Sequence, residues 1–162
     1  MSIGTLTLHR FNGDEVFNVS DATISYFVAE SHATLQFDVN TEAKPVQTLP
    51  DTEELNAWPN GAWQLTVPAF DPDDLVGKTF SIPFGYDEAA EEYLTNFYYV
   101  EHEPIDNNEI VITGRDKDDF QITITGIVPD VNYYDGSKAA TKIAIQANFS
   151  LSKSEEPIDP VG

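Results

Sequence analysis

Apolar and polar residues alternate one for one along much of this chain, and that pattern limits its fold more than any other feature. Phe120, Ile122, Ile124, Gly126 and Val128 alternate with Gln121, Thr123 and Thr125. Ile143, Ile145, Ala147, Phe149 and Leu151 alternate with Lys142, Gln146, Asn148 and Ser150. Successive side chains on a β-strand point to opposite faces, so each run predicts a strand with one buried and one wet face. Weaker versions predict strands over Thr5–Phe11, Glu15–Val19, Ala22–Ala29, Ala33–Val39, Trp63–Phe70, Thr79–Phe84, Phe97–Glu103 and Glu109–Thr113.

Turn chemistry separates several of these runs. Asn12-Gly13-Asp14 is a hairpin signal between the first two, and Arg115-Asp116-Lys117-Asp118 links Glu109–Thr113 to the Phe120 strand. Helix is scarce. Asp71-Pro72-Asp73-Asp74-Leu75-Val76-Gly77 reads as one capped turn, with Asp at the N-cap, Pro at the first helical position and Gly past the end. Asp87–Leu94 suggests two further turns, and Pro50–Leu55 has a capping arrangement. The expected fold is all-β, a mainly antiparallel β-sandwich of about 8–10 strands with one or two short helical turns. A closed barrel is the alternative.

At 162 residues, the chain fits one domain with a core that needs no metal or crosslink. The expected domain is residues 1–151, followed by a polar tail, 152–162, that frays. Cysteine is absent, which excludes disulfides, thiol chemistry and thiolate zinc sites. The first residues lack a basic region followed by an apolar one, so no secretory signal is read. No apolar run reaches membrane-spanning length, and the default expectation is a soluble, cytoplasmic protein.

Charge limits the partners. Twenty-eight acidic residues oppose eight basic ones, for a net charge of −20. From Thr79 to Gly114 there are eight acids and no Lys or Arg. Such a surface repels nucleic-acid phosphates and anionic lipid, so neither is expected as a partner. The acidity fits a solvated face, a surface for a basic protein, or adaptation to high salt. At 41% hydrophobic and 12% aromatic, the chain still has the apolar material of a folded protein.

Site signals are sparse. Asp71, Asp73 and Asp74 cluster on one loop, and Asp116, Asp118 and Asp119 on another, which makes calcium the one cofactor worth testing. Neither cluster has the EF-hand spacing, because Leu75 and Phe120 stand at the fifth positions. The competing readings are a helix N-terminus and a charged hairpin turn. In Phe97–Glu103, alternation sets His102 on the face of Tyr98 and Val100, away from Glu101 and Glu103, so these three do not chelate one ion from a regular strand.

Aromatics beside polar groups suggest glycan stacking, with Tyr133, Tyr134, Asp135 and Trp58 as the candidate ligand-binding residues. Trp63 opens an apolar strand and is expected in the core. There is no Gly-x-Ser-x-Gly, phosphate loop, dinucleotide fingerprint or His-Glu-x-x-His, so no catalytic residue is assigned. The expectation is a non-catalytic binding domain that presents the loops Pro129–Thr141 and Asp51–Asn60 to a protein or glycan. A structural assembly subunit and a carboxylate-based hydrolase are the alternatives.

Overall fold

A computed structural model of the chain describes residues 3–47, 57–129, 131 and 136–161. Its strands are β1 (Gly4–Arg10), β2 (Gly13–Val28), β3 (Ala33–Thr41), β4 (Asn60–Val67), β5 (Thr79–Ile82), β6 (Tyr86–Asp87), β7 (Glu92–Tyr93), β8 (Thr95–Tyr99), β9 (Glu101–Glu103), β10 (Asp106–Asp116), β11 (Asp119–Val128) and β12 (Thr141–Lys153). Ten of them form one sheet in the order β5-β10-β11-β12-β1-β2-β3-β4-β8-β9, with every neighbouring pair antiparallel. Past the start of β1, β12 also pairs with β2 in parallel, from Ser150↔Thr23 to Lys153↔Tyr26. β6 and β7 form a separate small hairpin. The chain is therefore all-β and mainly antiparallel, as the alternation requires.

The sheet folds over so that distant strands meet across one core. Phe37 on β3 meets Phe149 on β12 edge-on, with ring centroids 6.1 Å apart. Trp63 on β4 is fully buried, and its Nε1–H donates to Asn108 Oδ1 on β10 at 2.8 Å. These contacts join opposite halves of the sheet. The alternating residues of β11 and β12 supply much of the core: Phe120, Ile124, Ile143 and Phe149 are all fully buried. Each such side chain contributes roughly 1.5–3 kcal/mol by leaving water.

Local chemistry explains most boundaries. The run around Asn12-Gly13 makes the β1–β2 turn, with Gly13 at φ 131°. The two expected strands Glu15–Val19 and Ala22–Ala29 are one strand, β2, with its register shifted between Val19 and Asp21. A bulge of this kind resets the inward face without ending the strand. β5 ends at Ile82, opposite the irregular stretch of β10 between Asp106 and Glu109, where Asn107 has φ 52°. The capped turn forms as a 3₁₀ turn over Pro72–Asp74: Asp71 Oδ1 accepts from the Asp73 N–H, and Gly77 has φ +92°.

Several expectations are corrected. Phe97–Glu103 is not one strand but a tight hairpin of β8 and β9 reversing at Val100, which has φ +68°. The pairing joins odd residues to odd and even to even, so His102 still shares a face with Tyr98. Asp87–Leu94 is not helical. Asp87 Oδ1 accepts from the Ala89 and Ala90 N–H groups, and this Asx turn closes the β6–β7 hairpin. Trp63–Phe70 starts earlier and stops earlier, at Asn60–Val67. The capping arrangement at Pro50–Leu55 lies outside the described residues, as does part of the Pro129–Thr141 loop.

β12 continues through Lys153, beyond the tail boundary set at Leu151. The residues after it are docked: Ser154 N–H donates to Tyr26 O at 2.7 Å, Gln64 Nε2 donates to Asp159 O at 2.9 Å, and Val161 bridges to Tyr93. Among the described residues, no helix is long and apolar enough to cross a membrane.

A polar groove on the outer face

The outward positions of β2, β3, β4, β8 and β9 fall into register as rows. One row is Ser25, Gln36 and Gln64; the next is Thr23, Asp38, Ala62 and Asn96; the third is Asp21, Asn40, Asn60, Tyr98 and His102. Cross-strand neighbours on one face lie close enough to interact directly. The face is thus dense in carboxamides, with one small residue, Ala62, in the middle. Around Ala62 lies a groove of about 560 Å³, lined also by Gln36, Asn60, Asn96, His102 and Glu103, with Tyr93 and Val161 along another side.

The polar groups are held by one another. Gln64 Nε2 donates to Gln36 Oε1 at 3.0 Å, and Gln36 Nε2 donates to both Asp38 oxygens at 3.1 Å. Asn96 Oδ1 lies 2.8 Å from His102 Nδ1, so the imidazole donates there and leaves Nε2 as an acceptor when neutral. The His102 ring packs against Tyr98 at 4.9 Å between centroids. Burial raises the Asp38 carboxyl above its ordinary range; the Gln36 amide opposes this and the Asp21 charge adds to it. Burial also raises Glu103, and the neighbouring Glu101 charge raises it further.

Trp58 is tied to the groove-lining Asn60 through its backbone. It is exposed (58%), it has φ 43°, and its carbonyl accepts from the Asn60 side chain at 3.1 Å. Asn60, which lines the groove, therefore holds the Trp58 backbone. Tyr133, Tyr134 and Asp135 lie outside the described residues. His102 enters the sequence reading only as a rejected metal ligand and Asn60 only as the end of a candidate loop, while Gln36, Asp38 and Asn96 carry no site signal there. Their signal was only the wet half of each alternation, and sharing one face depends on register across four strands.

The two acidic clusters, far apart in sequence, converge on a cation. Arg115 Nη1 lies 2.7 Å from Asp73 and its Nη2 3.9 Å from Asp118, while Arg115 Nε donates to Lys117 O and the guanidinium covers the Phe120 ring. Asp71 is spent on the 3₁₀ cap, and Asp119 Oδ1 accepts from Ser150 Oγ at 3.1 Å. Asp74 follows Asp73 in the 3₁₀ turn, and Asp116 pairs with Asp119 at the hairpin end. Among the described residues, no group of three or more His, Asp or Glu side chains is arranged to hold a metal ion. No known protein family, curated protein or solved structure matches this chain.

Proposed function

We propose that the chain is a non-catalytic binding domain for neutral glycans, and that the polar groove around Ala62 is its site. The observation that carries this reading is the mixed, half-buried lining. Asn60, Asn96, Gln36 and His102 offer donors and acceptors together, and Trp58, an exposed aromatic whose carbonyl Asn60 holds, is the stacking candidate. Sugar hydroxyls both donate and accept, so they match carboxamides, and a sugar ring has an apolar face that stacks on indole. The groove volume of about 560 Å³ falls within the range of small-ligand sites. Among the described residues, the lining contains no Lys or Arg, which disfavours sulfated or phosphorylated ligands.

Binding is favoured over hydrolysis by the carboxylates. Two-acid glycosidases need a facing pair. Among the described residues, Glu103 is the one carboxylate that lines the groove, and both oxygens of Asp38 are engaged by Gln36. The test is titration with neutral oligosaccharides, followed by amide chemical shifts. Shifts confined to Ala62, Asn96 and His102, weakened about tenfold by Asn96→Ala, support the site. A panel that produces no shifts, or shifts unchanged in Trp58→Ala and Asn96→Ala, refutes it.

A further inference from the structure

A second groove, sharing no lining residue with the first, lies where the folded sheet fails to close. One wall is β4 past its pairing with β8, which ends at Trp63; the other is β5, which among the described residues pairs with β10 alone. Gln64, Leu65 and Thr66 face Ser81, Ile82 and Pro83 across about 740 Å³, with Phe84, Tyr86, Asp87, Glu88, Ala89 and Leu94 completing the lining.

Among the described residues, both walls present strand edges with open backbone groups. Gln64 N–H donates away from β3, to Leu94 O at 2.7 Å. Alternation then turns the Thr66 N–H and C=O outward as well. Ile112 N–H donates to Lys78 O at 3.0 Å, so residues 78, 80 and 82 turn toward β10, and the backbone groups of Thr79 and Ser81 point at the open edge. Such edges are templates for another strand.

The side chains specify what that strand carries. Leu65, Ile82 and Leu94 give an apolar floor, and Phe84 stands 71% exposed above it. Asp87 and Glu88 add negative charge, and the nearest basic residue along the chain, Lys78, does not line the groove. We infer that the gap between β4 and β5 binds an extended, cationic segment of another protein. The segment adds to the β5 edge, with alternate apolar side chains on the floor and Lys or Arg toward Asp87 and Glu88. A second copy of this chain is a poor occupant, because its own charge of −20 opposes the approach.

The probes are fluorescent peptides of about six residues, the length of an ordinary strand, alternating Val with Lys or Val with Glu. The Val–Lys peptide should bind at one site and shift the amides of Thr66, Thr79 and Ser81. A central proline in the peptide, Ser81→Pro in the protein, or Phe84→Ala should each weaken it about tenfold. The Val–Glu peptide should not bind. Ser81→Pro removes an outward N–H and leaves the β10 ladder intact; if it fails to fold, the exposed Phe84→Ala carries the test. Equal binding of both peptides, or Val–Lys binding indifferent to both variants, reduces the effect to diffuse charge attraction and overturns the inference. A dimer abolished by Phe84→Ala would assign the groove to a second copy and overturn it equally.

Discussion

Asn108 should be the most costly polar side chain to remove from this protein. It is 1% exposed and reaches three partners in two halves of the sheet. Its Oδ1 accepts from Trp63 Nε1 at 2.8 Å, and its Nδ2 donates to Ile82 O at 2.9 Å and to Ile105 O at 2.6 Å. Asn108→Ala leaves the fully buried Trp63 N–H without a partner, at about 1–3 kcal/mol, and forfeits two further bonds at about 1 kcal/mol each. The Ile105 carbonyl keeps its bond from Thr95 Oγ1 at 3.0 Å, which lowers the sum. The expected loss is about 3–4 kcal/mol, a large share of the roughly 5–15 kcal/mol that holds a domain together. Urea unfolding should show a lower midpoint at unchanged slope. Trp63→Phe removes only one of the three bonds, and the double mutant should lose less than the sum of the two single losses. A loss below about 1 kcal/mol in Asn108→Ala would refute the account, because it would mean the three partners are satisfied without Asn108.

Two further outcomes follow from charged groups. Burial raises the Glu15 carboxyl, against the hydrogen bond from Tyr99 OH at 2.8 Å and the Arg10 charge. A carboxyl raised in the fold favours folding while protonated, and that contribution is lost as pH rises from the unfolded value through the folded one. Glu15→Gln should therefore flatten the decline in stability above about pH 4.5, measured as a wild-type-minus-variant difference so that the general repulsion cancels; identical pH profiles would contradict this. Since Arg115 already engages Asp73 and Asp118, millimolar calcium should raise the melting temperature no more than sodium chloride of equal ionic strength. A larger shift with calcium, reversed by chelation, would support the loops as a calcium site.

The local half of this structure was written in the chain. Period-two alternation gave β11 and β12 almost to the residue, because each side chain's face depends only on its neighbours along one strand. The capped turn at Asp71–Gly77 and the burial of Trp63 were equally readable, one from backbone capping chemistry and the other from an apolar run. Asp87–Leu94 misled because an aspartate that caps a helix also caps an Asx turn, and the first few residues do not distinguish them.

Tertiary structure decided what local rules leave open. The polar groove needs Asn96, Asn60 and Gln36 brought together by register across β8, β4 and β3. The gap between β4 and β5 exists because the folded sheet brings two incomplete edges face to face. Glu15 meets Tyr99, and Trp63 meets Asn108, across long loops of sequence. Alternation sorts side chains into inside and outside at each strand separately. Which outward residues become neighbours is fixed only when core packing sets the register and curvature of all ten strands at once.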